Sequence, residues 1–400
     1  MKKTLFIASL LFIGQLNAQL GPVVTSWILN PTNATGYGGI VTNVQQVQYS
    51  TNNVYVSASC IPGYSIGPWT ANPNTPVNQN FVYKFTRNPQ QNTGSPTAVG
   101  MGHTGVWTNG VSIFNVSDGM SYNNAGVWNR NAYFWEGISF DDCLGHPAPN
   151  GEYHHHVSPR CLYNITDSTH HSPIIGFAFD GYPVYGAWAY ANTNGTGGLK
   201  RMRSSYTSTT TSTRANGPSV SSTYPVGCFM EDYVFTSNAG DLDFRNGRFC
   251  VTPEYPSGTY AYFVTLDGNL DPQFPYTMYK SYYGIVQAGN TGPTGGHNTV
   301  TESVTSYTGT TGVIESAEEV IEYKVYPNPA NDQLNIIIAG EASDNVSITI
   351  QDMTGKTIML VSQLEMNKVN KLNVSELGKG VYLMRIRTGA GDRTEKLIIQ

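Results

Sequence analysis

Charge is what this sequence has least of. Only 12% of its 400 residues are Asp, Glu, Lys or Arg, about half the roughly 25% of an ordinary soluble protein. The 22 basic residues are outnumbered by 27 acidic ones, giving a formal net charge of −5. There is no basic stripe to release counterions from phosphate, so nucleic acid is excluded as a partner. Long apolar runs are missing as well. The run from Leu5 to Ile13 falls short of the roughly 20 residues a membrane helix needs, and the mature chain is not expected to be integral to a membrane. No Gly-x-Ser-x-Gly, His-Glu-x-x-His or Gly-rich phosphate loop occurs, so no nucleophile or nucleotide motif assigns a reaction. Residues 19–298 also lack any long stretch with a 3.6-residue apolar period.

What is present describes a secreted β protein. Hydrophobic residues make up 40% of the chain and aromatics 12%, including 26 Tyr, enough to build a core and to exclude wholesale disorder. Residues 1–18 read as a signal peptide: Lys2 and Lys3, then the Leu5–Ile13 run, then Leu16-Asn17-Ala18 before a cut at Gln19. Short strand-like runs such as Val54–Ala58, Phe81–Phe85, Val111–Phe114, Ile174–Phe179 and Thr259–Thr265 sit between Gly-, Pro- and Asn-rich turns. The expected fold class is mainly β: a large β-rich cargo domain with long ordered loops over 19–298. A flexible Thr/Ser/Gly-rich linker follows at 299–322, ending in the acidic residues Glu315, Glu318 and Glu319. Residues 323–400 are denser in charge and alternate like a small Ig-like β-sandwich, with strands expected at Leu334–Ile338, Val346–Gln351, Lys356–Leu360, Val381–Arg387 and Lys396–Ile399.

This last segment carries Val325-Tyr326-Pro327-Asn328-Pro329-Ala330, Thr354-Gly355-Lys356, Leu377-Gly378-Lys379-Gly380-Val381-Tyr382 and the ending Glu395-Lys396-Leu397-Ile398-Ile399. In that order it resembles the C-terminal sorting domain of Bacteroidetes type IX secretion substrates. The resemblance implies that type IX machinery handles residues 323–400. It also implies a cargo secreted or anchored at the outer cell surface, with attachment to a surface glycan or lipopolysaccharide as one outcome.

The cargo contains an internal echo. Gly105–Phe114 matches Gly176–Tyr185 in register, and Pro149–Val157 matches Pro256–Val264 in the same order. Either a unit is duplicated or two stretches share turn–strand grammar. On a strand, side chains alternate faces. His154 and His156 therefore share the face on which the matching residues are Ala261 and Phe263, apolar and expected inward. Two imidazoles there must be hydrogen-bonded or hold something.

Seven of the eight His lie between positions 103 and 171. The expected metal ligands are His146, His154, His156 and Asp141, with Asp142, His155, His171 and Asp180 as supporting or alternative ligands. Imidazole-rich ligation without thiolates suits Cu or Zn outside the cell. Cys143 and Cys161 bracket the cluster and are expected to form a disulfide in an oxidising compartment. Cys228 and Cys250 are expected to form a second, leaving Cys60 over.

The stretch Asp141-Asp142-Cys143-Leu144-Gly145-His146-Pro147, then Gly151-Glu152-Tyr153-His154-His155-His156 and Gly176–Gly186, together with Asn246-Gly247-Arg248 and Val251–Pro256, is similar to the YHYH domain family. His155 stands where the signature has its second Tyr, and the two outer histidines are kept. The resemblance implies no activity. Three functions remain open from the residues: a transition-metal-binding secreted protein, a surface binding or adhesion module whose His cluster is a polar core, and a metal-dependent extracellular hydrolase or oxidase. For the adhesion reading, Trp107, Trp128, Trp135 and Trp188 supply candidate stacking surfaces.

Overall fold

The computed structural model describes residues 20–292, 294–309, 322–339, 346–352, 357–362, 364–388 and 391–400. The expected signal peptide, the acidic end of the linker and the Thr354-Gly355-Lys356 turn lie outside the described residues. The chain forms two compact units, Met1–Gly309 and Thr310–Gln400. Both are mainly β, and the described α-helices, Pro22–Thr25 and Ala132–Trp135, are single turns. Among the described residues no helix is long and apolar enough to cross a membrane.

The first unit opens on an antiparallel sheet in the order Thr305–Tyr307, Val44–Tyr49, Asn53–Ala58, Phe81–Thr86. Its strands form because apolar residues recur at every second position. Phe81, Tyr83 and Phe85 are buried while Val82, Lys84 and Thr86 are half-buried, as a one-sided sheet requires. The strand Thr305–Tyr307 corrects the expected start of the linker. It pairs with Val44–Tyr49 through Val47↔Tyr307 and Tyr49↔Thr305, and Glu302 accepts hydrogen bonds from Asn53 and the Tyr55 hydroxyl. Backbone pairing overrides the polar composition of this segment.

The central sheet has eight strands, in the order Gly247–Cys250, Thr259–Phe263, Pro183–Tyr185, Ile174–Ala178, His103–Trp107, Ser112–Phe114, Tyr153–His155, His146–Pro147. His103–Trp107, Ile174–Ala178 and Thr259–Phe263 are buried at every position, so both faces of the sheet are covered.

The order reads the same from both ends. Each half is an antiparallel hairpin, a parallel strand beside it, and an antiparallel edge strand. The registers coincide under the echo seen in the sequence: Gly105↔Ile113 and Val106↔Ser112 in one half, Gly176↔Val184 and Phe177↔Pro183 in the other. Ile113↔His155 corresponds to Val184↔Tyr262. The halves meet at Gly105↔Ala178 and Gly176↔Trp107, a pairing that maps onto itself. The hairpin turns repeat too. Gly110 N donates to Trp107 O and Gly181 N to Ala178 O, with both glycines at positive φ (81° and 86°), a conformation costly for other residues. The repeated unit is therefore a structural duplication.

The second unit packs two antiparallel sheets around one core. Glu322–Tyr326, Gln333–Ala339 and Val369–Asn373 make one sheet. Thr357–Ser362, Ser347–Gln351, Gly380–Thr388 and Gly391–Ile399 make the other. Leu334, Ile336 and Leu372 of the first sheet share a cluster with Ile348, Ile350, Met384 and Leu397 of the second.

Candidate metal centre

One end of the central sheet carries the histidines. The edge strand His146–Pro147 pairs antiparallel with Tyr153–His155 so that His146 lies opposite His154, and directly paired residues project from the same face. Alternation puts His156 on that face as well. The three ring Nε2 atoms converge: His146 to His154 is 3.0 Å and His154 to His156 is 3.0 Å. Among the described residues these three are the one group of His, Cys, Asp or Glu with ligand atoms all within 4.8 Å of one another. All three side chains are buried. Phe114 stacks on His154 with ring centroids 3.7 Å apart, and Phe140 lies parallel to His156 at 6.1 Å.

The ring tautomers follow from what each Nδ1 touches. His154 Nδ1 is 3.0 Å from the Glu152 carbonyl, and His156 Nδ1 is 2.5 Å from the Asn115 carbonyl. A carbonyl only accepts, so both Nδ1 atoms carry the proton. His146 Nδ1 is 2.7 Å from Ser139 Oγ. That hydroxyl gives its one hydrogen to the Glu136 carbonyl, 2.7 Å away, so here too Nδ1 donates. In neutral rings all three Nε2 atoms then present lone pairs to one another. Burial, and next the neighbouring His156, lowers His146 to about 4, with Glu136 opposing. Burial followed by His146 and His156 holds His154 well below its usual range. Burial thus keeps His146 and His154 neutral near pH 7, and lone pairs facing each other at 3.0 Å leave a place that a cation can fill. Donors bonded to one ion at about 2.0–2.1 Å are separated by roughly 2.9–3.4 Å for bond angles between a right angle and the tetrahedral value. The residues present fit a metal ion.

Glu136, which no sequence pattern marked, joins this group. It follows the helical turn Ala132–Trp135, which is capped by the Asn131 side chain accepting from Tyr133 N. Its Oε2 lies 3.1 Å from His156 Nε2 and 3.8 Å from His146 Nε2. The site opens into a cleft of about 400 Å³ walled by Met101, Phe114, Trp135, Ile138 and Pro147, with Asn72, Asn74 and Asp118 as polar neighbours.

The remaining expected residues serve elsewhere. Asp141 is not brought into the cluster. Its Oδ1 accepts from Cys143 N and Gly145 N, and its Oδ2 from Gly67 N and the Tyr153 hydroxyl, all between 2.9 and 3.1 Å. Four donors saturate a carboxylate, and Asp141 braces the loop leading to His146. Asp142 is exposed. His155 points to the other face, fully buried, and neither ring nitrogen has a hydrogen-bond partner among the described residues. His171 donates from Nδ1 to the Ser172 carbonyl and packs on Tyr185 and Tyr190. Asp180 accepts from the Tyr262 hydroxyl, Gly284 N and Tyr182 N. The Asp141 brace has a twin: Asp243 Oδ1 accepts from Arg245 N and Gly247 N, and Tyr260 bonds the same carboxylate.

Cys143 and Cys161 form a disulfide across 18 residues, enclosing the histidine strands. The expected Cys228–Cys250 bridge is corrected: both are free and buried. Cys228 sits beside Arg214, which is ion-paired with Asp232, while Cys250 ends an edge strand inside the main core. Cys60, also free, donates to the Tyr153 carbonyl. The four candidate tryptophans are anchored in the fold. Trp107 is fully buried, and Trp128, Trp135 and Trp188 each donate their indole N–H to a backbone carbonyl.

Fold and site together define a β-rich, duplicated domain with a convergent histidine triad, joined to a small β-sandwich. Residues 82–275 match the family model described as YHYH protein, and residues 324–400 match the secretion system C-terminal sorting domain. The chain therefore carries a YHYH domain and ends in a type IX sorting domain, which marks a secreted or cell-surface protein. No curated protein matches it. A crystal structure of dimeric latent PorU from Porphyromonas gingivalis is similar at 18% identity over 19% of this chain and 9% of that one, with a TM-score of 0.16.

Proposed function

We propose that the YHYH domain of this exported protein binds one divalent transition-metal ion, Cu(II) or Zn(II), through Nε2 of His146, His154 and His156. The observation that carries this reading is the fixed tautomer of all three rings. Ser139 Oγ, the Glu152 carbonyl and the Asn115 carbonyl each take an Nδ1 proton, leaving three lone pairs aimed at one point. A structural polar core would instead alternate donors with acceptors, because a buried acceptor facing another acceptor forfeits the hydrogen bonds that water would have supplied. The outer contacts match the way metal-bound imidazoles are oriented through their second ring nitrogen. The cleft beside the triad leaves such an ion within reach of small molecules.

The test is metal content by mass spectrometry on the purified full chain without a histidine tag, beside a His154→Ala/His156→Ala variant. Near-stoichiometric copper or zinc in the parent, lost in a variant that still folds, is the expected result. A parent that stays metal-free after supplementation returns the triad to a purely structural role.

A further inference from the structure

We propose that Glu136 is the fourth ligand of this ion, completing a set of three imidazoles and one carboxylate that favours a divalent ion over Cu(I). This rests on the triad reading and adds to it a residue and a selectivity. Glu136 Oε2 is shielded from solvent and meets no hydrogen-bond donor among the described residues. Its near neighbours are His156 Nε2 at 3.1 Å and His146 Nε2 at 3.8 Å. Both nitrogens are lone-pair atoms in the tautomers fixed above, so the carboxylate faces acceptors with nothing to accept from. An unpaired carboxylate oxygen shielded from water is costly, and it persists where a cation or a proton compensates it.

The distances suit one ion. Along the four measured pairs the donors stand 3.0, 3.0, 3.1 and 3.8 Å apart, near the roughly 3.3 Å edge of a tetrahedron with metal–ligand bonds of about 2.0–2.1 Å; Glu136 lies outside the group whose ligand atoms all fall within 4.8 Å, so its carboxylate moves inward to complete the set. None of the four converging atoms is sulfur, the donor that Cu(I) prefers, whereas imidazole and carboxylate suit divalent ions. The carboxylate also supplies the one formal negative charge of the set.

Position gives Glu136 a second consequence. The histidine side chains are buried, while the Glu136 side chain keeps 30% of its surface exposed. It is the ligand on the solvent side. Its own carbonyl holds Ser139 Oγ, which in turn holds His146 Nδ1. One turn of chain, 136–139, thus links the fourth ligand to the first, and Trp135, just before that turn, and Ile138, within it, wall the cleft.

The experiment compares the full chain with Glu136→Ala and Glu136→Gln, using Zn(II) and Cu(I) in competition with chromophoric chelators and Co(II) as a visible reporter of the ligand set. At least a tenfold loss of Zn(II) affinity in Glu136→Ala is expected, with a shifted Co(II) spectrum and an unchanged Cu(I) affinity. Glu136→Asp should restore part of the Zn(II) affinity. If both Glu136→Ala and Glu136→Gln bind Zn(II) as tightly as the parent, with the parent's Co(II) spectrum, Glu136 is not a ligand and the triad stands alone. If the parent takes up neither Zn(II) nor Co(II), the triad reading fails and this inference falls with it. Equal losses for Zn(II) and Cu(I) overturn the selectivity.

Discussion

Ser139 offers the sharpest perturbation, because one hydroxyl decides which nitrogen of His146 faces the proposed ion. Ser139 Oγ donates to the Glu136 carbonyl and accepts from His146 Nδ1, both at 2.7 Å. In Ser139→Ala the Nδ1 proton loses its acceptor, worth roughly 1 kcal/mol net. The proton can then move to Nε2 and donate to His154 Nε2, 3.0 Å away, which recovers about the same amount. The tautomer balance swings by roughly 2 kcal/mol toward a ring that cannot ligate, and at about 1.4 kcal/mol per decade this is an affinity loss of roughly 30-fold. That sits inside the roughly 10- to 100-fold typical of outer hydrogen-bond partners of metal-bound histidines. The assay is a competition titration of zinc against a chromophoric chelator near neutral pH, run beside a melting curve that shows the variant folded. An affinity within about twofold of the parent in a folded variant would refute the tautomer argument. It would also remove the observation on which the metal reading rests.

Two further outcomes follow from the same contacts, both read by tryptophan fluorescence, since all six Trp lie in residues 1–309. Replacing Cys143 and Cys161 together by Ala opens a loop of 18 residues and should lower stability by roughly 3 kcal/mol in the chain-entropy model. Metal stoichiometry should survive, because strand pairing and the Asp141 brace, not the disulfide, set the ring positions; a folded double variant that binds no metal contradicts this. In the metal-free protein, stability should rise with pH between about 4 and 6.5. Burial, then neighbouring histidines, depresses His146 to about 4 and His155 to about 3, against an ordinary value near 6.5. The unfolded chain therefore binds more protons in this window, and unfolding becomes harder as pH rises. Asp180, raised to about 6 by burial, works the other way between roughly 3.8 and 6. At about 1.4 kcal/mol per unit, His146 and Asp180 each carry at most roughly 3 kcal/mol and His155 roughly 5, so two histidines outweigh one aspartate by a few kcal/mol. Urea denaturation in the presence of a chelator from pH 4 to 7 measures it, and a flat or falling profile contradicts the neutral-ring assignment.

The triad was legible because its signal is local. Alternation places His154 and His156 together, and the Pro147–Gly151 turn folds His146 back across from His154. Glu136 was illegible for the opposite reason: it sits ten residues before His146 on a turn with no period, and tertiary packing alone brings it in. Asp141 attracted a ligand role by adjacency, yet its lone pairs were committed to backbone donors that a sequence does not display. Cys228 and Cys250 flank a segment much as Cys143 and Cys161 do. Bracketing in sequence does not fix separation in space, and their side chains enter different surroundings. The strand Thr305–Tyr307 hid inside a Thr/Ser-rich stretch because its stability comes from pairing with Val44–Tyr49 rather than from its own side chains.

The duplication supplies a control that the molecule carries within itself. The scaffold is built twice, so a residue that recurs in both halves serves the scaffold, and one that appears in a single half serves something else. Asp141 and Asp243 recur, each accepting from the amides two and four residues on and from a tyrosine; so do the turn glycines Gly110 and Gly181. The three triad positions do not. Following the repeated Asp-x-x-x-Gly brace and the Tyr153/Tyr260 strands, His146 corresponds to Arg248, His154 to Ala261 and His156 to Phe263. In that half Arg248 lies over the Phe263 ring at 5.5 Å and donates to the Tyr190 carbonyl. A fixed guanidinium and an aromatic face thus fill the place where the other half converges three imidazoles. If the histidines were merely a way to fill this face of the fold, the second half shows that the same face is filled without them, by residues that leave no lone pairs opposed. The second half therefore shows that this face can be filled without imidazoles, and the convergence of three Nε2 atoms in the first half is what the proposed cation accounts for.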